Sequence, residues 1–140
     1  MAQLPVTIVE DMTAVAGEAR HNLCTKAVLS EQGPEQSAVF RLKPGGVIPA
    51  HLHSRVHDLF VGVAGRAEIT YEGQRGAGVV TLKPGAFCDM PPGVRHEVRN
   101  ISPTEDAVFL LVHAPWEGYD NIPVELRKTN ASSKSPVSRK

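Results

Sequence analysis

Glycine and proline cut this chain into short pieces, and that limits what it can fold into. Twelve glycines and eleven prolines are spread over 140 residues. Many fall in turn-forming runs: Lys43-Pro44-Gly45-Gly46, Glu72-Gly73, Lys83-Pro84-Gly85 and Pro91-Pro92-Gly93. Between them lie LCTKAVL, SAVFRL, HDLFVGV, RAEITYE, GVVTL, HEVRNI and AVFLLV, all short and rich in β-branched residues. Short strands with turn signals at regular spacing predict an all-β sandwich or barrel. Residues 11–22, DMTAVAGEARHN, read as a short N-terminal helix, although Gly17 works against it.

The length suits one domain with its own core, and no internal boundary is visible. The organisation expected is an N-terminal arm with the first strands at 1–36, a barrel at 37–114, a barrel-end extension at 115–126 and a tail at 127–140. The tail holds five basic residues and no acidic one, which leaves ten basic and fifteen acidic residues elsewhere, a net of −5. An acidic folded part speaks against a nucleic-acid partner. The Ser- and Lys-rich tail is expected to be disordered. No apolar run is long enough to cross a membrane, so no membrane partner is expected. The first residues show no basic region followed by an apolar one, so the protein is expected in the cytoplasm. Cys24 and Cys88 are read as free thiols.

Two stretches carry chemistry. The first contains "HLHSRVHD", residues 51–58. His51 and His53 are two apart, and on an extended strand such residues share a face, so their imidazoles can chelate one metal ion. The second runs from Gly85 through Pro91-Pro92-Gly93 to His96 and Asn100. "LKPGG" at 42–46 and "LKPGA" at 82–86 stand upstream of the two stretches, so the halves are built alike.

Together the stretches resemble the paired motifs of the cupin superfamily. The first motif is Gly, five residues, His, one, His, three or four, Glu, six, Gly. Here it is carried by Gly45, His51, His53 and Gly65, with Asp58 at the position of the acid. The second is Gly, five residues, Pro, one, Gly, two, His, three, Asn, and Gly85, Pro91, Gly93, His96 and Asn100 match it throughout. The resemblance covers about residues 37–114 and implies a single-domain jelly-roll barrel. It also implies one divalent metal inside the barrel, held by His51, His53, Asp58 and His96.

Asp is one methylene shorter than Glu, and its carboxylate reaches about 1.5 Å less far. A gap of three from His53 lands on His57 instead, and adjacent strand residues face opposite ways. Two ligand sets therefore stand open: three histidines with Asp58, or four histidines including His57. Parity favours Asp58, because its face carries Gly62 and Ala64, which leave room for a ligand. His57 then faces outward as a residue at the opening of the strand. The donor set suits Fe(II), Mn(II), Ni(II), Zn(II) or Co(II) without choosing among them.

Around the metal, His113 at the end of AVFLLVH is the candidate proton carrier. Asp89, a charge inside AFCDMP, is either a buried general base, or a charge on the outer face of a strand or a partner for Arg95 or Arg99. Phe40, Phe60, Gly62, Phe87 and Met90 are candidate pocket residues. Arg41 could meet an anionic substrate or face solvent, and Tyr71 and Trp116 pack the barrel end or line its mouth. The expected activity is metal-dependent Lewis-acid chemistry on a small carbonyl- or carboxylate-bearing molecule: isomerisation, cyclisation or elimination. An Fe(II) dioxygenase and a non-catalytic ligand-binding protein are the alternatives. The resemblance also implies a homodimer.

Overall fold

The computed structural model describes residues 3–127. Except for Arg127, the expected disordered tail lies outside the described residues. Eleven strands follow in chain order: β1 (Glu18–His21), β2 (Cys24–Ser30), β3 (Gln36–Leu42), β4 (Val47–Leu52), β5 (His57–Ala64), β6 (Ala67–Gly73), β7 (Gly76–Leu82), β8 (Phe87–Met90), β9 (Arg95–Asn100), β10 (Ala107–Ala114) and β11 (Ile122–Pro123). They form two antiparallel sheets, one ordered β1-β2-β3-β10-β5-β8 and the other β11-β4-β9-β6-β7. The fold is a cupin-type jelly roll in one domain.

Alternation drives the sandwich. On β3 and β5 every second side chain is buried, and β10 supplies the row between them. Phe40 stacks on Phe109 with ring centroids 5.6 Å apart, and Phe60 meets Phe109 at the same separation. From the opposite sheet Ile48, Ile69 and Val98 close the core. Each aromatic ring removed from water contributes on the order of 2–3 kcal/mol, so this triplet anchors the inner face.

The paired LKPG segments make the same turn. Gly46 donates to the Lys43 carbonyl (2.8 Å) and Ala86 to the Lys83 carbonyl (2.9 Å). Gly45 (φ 84°) and Gly85 (φ 88°) take the left-handed position. Proline then glycine at the two central places is the type II signature. Asn100, the last residue of the second motif, serves the frame: its amide donates to the carbonyls of Leu42 (2.9 Å) and Glu105 (2.8 Å).

The expected helix at 11–22 is not formed. Asp11 caps a single 3-10 turn, Met12–Ala14, through the Thr13 amide. Beyond it the backbone of Gly17 lies against β2, where a Cβ would sit 2.8 Å from the Lys26 carbonyl carbon. Residues 18–21 then pair with β2. The free edge of β2 offers backbone hydrogen bonds that outweigh a weak local helix preference.

Register carries the site to one end of the sandwich. Gln36, His113, Asp58 and Met90 are successive partners across β3, β10, β5 and β8. On the facing sheet His51, His96 and Tyr71 are successive partners across β4, β9 and β6. His53 follows the end of β4, and its carbonyl accepts from Gly93 of the Pro-Pro-Gly turn (2.8 Å). The two motifs are thereby tied together beside the site.

Candidate metal centre

Four buried groups converge between the sheets. His51, His53, Asp58 and His96 place one ligand atom each within 4.8 Å of one another. Asp58 comes from one sheet and the three imidazoles from the other or its edge. His53, Asp58 and His96 are each no more than 2% exposed, and His51 is 7% exposed.

The orientation of the three rings is fixed from behind. Nδ1 of His51 donates to the Pro49 carbonyl (2.7 Å), that of His53 to Asp120 (2.5 Å) and that of His96 to Val94 (2.9 Å). A carbonyl oxygen accepts only from N–H, so each neutral ring keeps its lone pair on Nε2. Such backing of the far nitrogen is how metal-bound histidines are held. Nε2 of His53 and of His96 each lie 3.0 Å from Asp58 Oδ2. Two lone pairs facing an anionic oxygen repel. The contacts become favourable only with positive charge between them, a second proton on each ring or one cation shared by the cluster. The donor set and its geometry therefore fit a divalent metal.

The electrostatics agree. Burial drives the His51 pKa down to about 4, with His96 adding to the effect, so His51 is a neutral ligand near pH 7. Burial opposes the proton on His53, but its contacts with Asp58 outweigh that and raise its pKa. Burial would also raise the pKa of Asp58, yet the hydrogen bond from His113, and those that His53 and His96 can donate only once a second proton sits on Nε2, hold it well below the usual carboxylate range.

Comparison with known proteins bears on the family and the fold. The family model described as "Cupin domain" matches residues 38–113, more than half of the chain. The chain belongs to the cupin family. No curated protein matches it in sequence. Among solved structures, TT1209 from Thermus thermophilus superposes with a TM-score of 0.65 at 23% identity, covering 76% of this chain and 96% of that one. KdgF from Halomonas sp. gives 0.67 at 15% identity, covering 80% and 94%. The oxalate decarboxylase of Lactobacillus farciminis, in a formate complex, gives 0.66 at 19% identity, and covers 83% of this chain but only 37% of its own. At these identities the likeness is one of fold.

In this cupin the cluster opens on a cavity of about 380 Å³ whose lining includes His51, Asp58, Phe40, Phe60 and His113. His113 donates from Nδ1 to Asp58 Oδ1 (2.8 Å) and is buried. Burial lowers its pKa, with the Asp58 hydrogen bond acting against that, so the ring is neutral near pH 7 and its Nε2 is an acceptor. Trp116 and Tyr119 pack against it, with centroids 5.5 and 4.9 Å away.

Several candidates lie elsewhere. His57 faces outward, and its Nδ1 meets Asp89 Oδ1 at 2.9 Å, with both side chains nearly half exposed. Asp89 is therefore not a buried base, and its partner is neither Arg95 nor Arg99. Arg95 donates to the Glu125 carbonyl and Arg99 to Glu97. Phe87 is 63% exposed, because its parity on β8 turns it away from the core. Gly62 leaves no room for a ligand: a Cβ there would sit 2.0 Å from the Lys83 carbonyl oxygen. Its lack of a side chain admits the turn at 83–86, which hydrogen-bonds it at both ends. Met90 is buried but faces a separate groove shared with Tyr71 and Cys88. Arg41 pairs with Asp106 (3.1 Å) and donates to the Thr13 carbonyl.

Sequence reasoning missed Lys26 and Gln36, which also line the cavity. The signal was present in CTKAVL. Cys24 is core, and Lys26, two residues on, shares its face. Burial lowers the Lys26 pKa, with Arg20 adding to the effect. Its Nζ stands 5.6 Å from the Phe40 centroid and 5.4 Å from that of Trp116. The amide oxygen of Gln36 is buried without a hydrogen-bond partner, a deficit of about 1–3 kcal/mol.

Proposed function

We propose that this cupin is a metal-dependent enzyme acting on a small carbonyl- or carboxylate-bearing molecule. One observation carries the reading: three backbone-oriented imidazoles turn their Nε2 lone pairs toward one buried carboxylate. When bound, a divalent ion of the Fe, Mn, Ni, Zn or Co type supplies Lewis acidity that stabilises negative charge developing on a substrate oxygen. His51, His53, Asp58 and His96 would hold it.

The remaining roles belong to the chain. His113 accepts a proton at Nε2, and Asp58, hydrogen-bonded to its Nδ1, fixes the tautomer and steadies the charged ring. Phe40 and Phe60 give the cavity an apolar wall, and Trp116 and Tyr119 shield the His113 side from water. Proton transfer beside a stabilised oxyanion is common to isomerisation, cyclisation and elimination. The named relatives include an oxalate decarboxylase, and its substrate is a small carboxylate of the same kind.

The test is chelator treatment followed by reconstitution with each of the five metals and NMR assay of a panel of carbonyl and carboxylate metabolites. Turnover should follow the metal, vanish in His51→Ala and fall about 10²–10⁴-fold in His113→Gln. Turnover indifferent to chelation and to His51→Ala would end the metal-dependent reading. Stoichiometric oxygen uptake with Fe(II) and substrate would assign a dioxygenase, and tight binding without turnover a ligand-binding protein. A cytoplasmic homodimer completes the proposal, and light scattering at the monomer mass would remove the dimer.

A further inference from the structure

The cavity is also lined by two cations, Lys26 and Arg20. Lys26 is 9% exposed and, among the described residues, makes no ion pair. Arg20 lines the same cavity from its exposed rim. Among the described residues the one carboxylate in the lining is Asp58, and its oxygens are already engaged by His53, His96 and His113. A buried ammonium with no ion-paired carboxylate is costly, and its contacts with the Phe40 and Trp116 rings and the charges of Glu31 and Asp58 offset only part of that cost. In the same lining, Gln36 is 4% exposed, and its amide oxygen, closed off from water, has no partner. Gln36 is also the register partner of His113, so its unmet acceptor sits in the row that leads to the cluster.

We propose that Lys26 and Gln36 form an anion-recognition subsite that takes the carboxylate of a two-ended small acid. The carboxylate pairs with Lys26 Nζ, and a hydroxyl or amide N–H of the ligand donates to Gln36 Oε1 once that amide turns toward the cavity. The other end carries the oxygen that faces His51, His53, Asp58 and His96. That last point rests on the metal reading above, whereas the Lys26 contact does not. A carboxylate suits the subsite better than a phosphate. The one buried cation, with a neutral amide and Arg20 only at the exposed rim, matches a single negative charge, and among the described residues the only helical element is the three-residue turn Met12–Ala14, too short to hold a dianion at its N-terminus.

The experiment is calorimetry and Trp116 fluorescence on the full chain, with and without reconstituted zinc. Trp116 is the single tryptophan of the protein, and Lys26 lies over its ring. The probes are three- to six-carbon α,ω-dicarboxylates, their 2-hydroxy forms, their neutral diamides, and propionate. We expect at least one dicarboxylate to bind at least tenfold more weakly to Lys26→Met, with Lys26→Arg recovering most of the loss. Diamides should not distinguish the variants. Gln36→Leu should erase any preference for the 2-hydroxy form while keeping the dicarboxylate. Metal content should be equal in all of them, and the melting temperature of Lys26→Met should equal or exceed that of the native chain, since it loses an unpaired buried charge. Equal binding by native and Lys26→Met, or no binding of any dicarboxylate by the native chain, would overturn the subsite. The two readings fail separately. Absence of metal after reconstitution sinks the metal site alone, because Lys26-dependent binding of propionate is read on the chelator-treated chain.

Discussion

Replacing Asp58 by Asn separates a metal site from a structural ion-pair cluster. The change swaps Oδ2 for an NH2 group of nearly the same size, so no cavity opens. Its two N–H bonds match the two Nε2 lone pairs now 3.0 Å from Oδ2, on His53 and His96. The amide oxygen still accepts from His113 Nδ1, now 2.8 Å from Oδ1. With Nδ1 of each ring donating to a backbone carbonyl, Nε2 is an acceptor, and an amide N–H is a better partner for it than a carboxylate oxygen. Without metal, Asp58→Asn should therefore stay within about 1 kcal/mol of the native chain. If the cluster were only a buried ion-pair network, removing its carboxylate would cost about 3–5 kcal/mol. Over the 125 described residues, an unfolding entropy of about 2.1 cal/mol/K per residue makes 1 kcal/mol worth about 4 °C. The two readings differ as a shift within about 4 °C against a fall of about 12–20 °C. Zinc should then raise the native melting temperature, by about 16 °C at a thousandfold excess over Kd. A hundredfold weaker site in the variant would forfeit about 11 °C of that gain. Differential scanning calorimetry with chelator and with zinc reads both numbers. A collapse of the metal-free variant, or an undiminished zinc response, would rule out the metal-site reading of Asp58.

Three further outcomes follow from the same geometry. Gly62→Ala drives a Cβ to 2.0 Å from the Lys83 carbonyl oxygen, so β5 or the turn must shift by more than 1 Å; thermal denaturation should show a loss of about 1–3 kcal/mol, and an unchanged midpoint would contradict the packing described. His57→Ala should cost under about 1 kcal/mol and leave metal content intact, because it removes only a half-exposed pair with Asp89; loss of metal would return His57 to the ligand set. Metal affinity should climb from about pH 6 to about pH 8, because the raised pKa of His53 means that a proton holds the ligand position on the acid side and must leave on binding. Competition titrations across that range would refute this by returning a flat profile.

Much of the frame was legible because it depends on local chemistry. The LKPG pairs dictate their turns, and β-branched runs between glycines give the seven expected strands. Parity placed His51 with His53 and separated Asp58 from His57. The room expected on the Asp58 face is another matter: Gly62 shares that face, but the space it leaves is filled by the 83–86 turn and not by a ligand. That contact joins residues about twenty apart, and strand periodicity carries no information about it. Lys26, Gln36 and Tyr119 escaped notice for the same reason. Each is ordinary in its own segment and becomes part of the site only through the register of β2 on β3 and β3 on β10, and through the return of the chain after β10. The helix expected at 11–22 failed because the edge of β2 was not visible from its sequence.

Everything proposed for this cupin's chemistry depends on His51, His53, Asp58 and His96 together holding one divalent metal. Anomalous diffraction from crystals of the zinc- or manganese-reconstituted chain tests it directly. One anomalous peak per chain is expected, about 2.0–2.3 Å from the Nε2 atoms of His51, His53 and His96 and from an Asp58 oxygen. A peak between His57 and Asp89, or none inside the barrel at full metal loading, would contradict it.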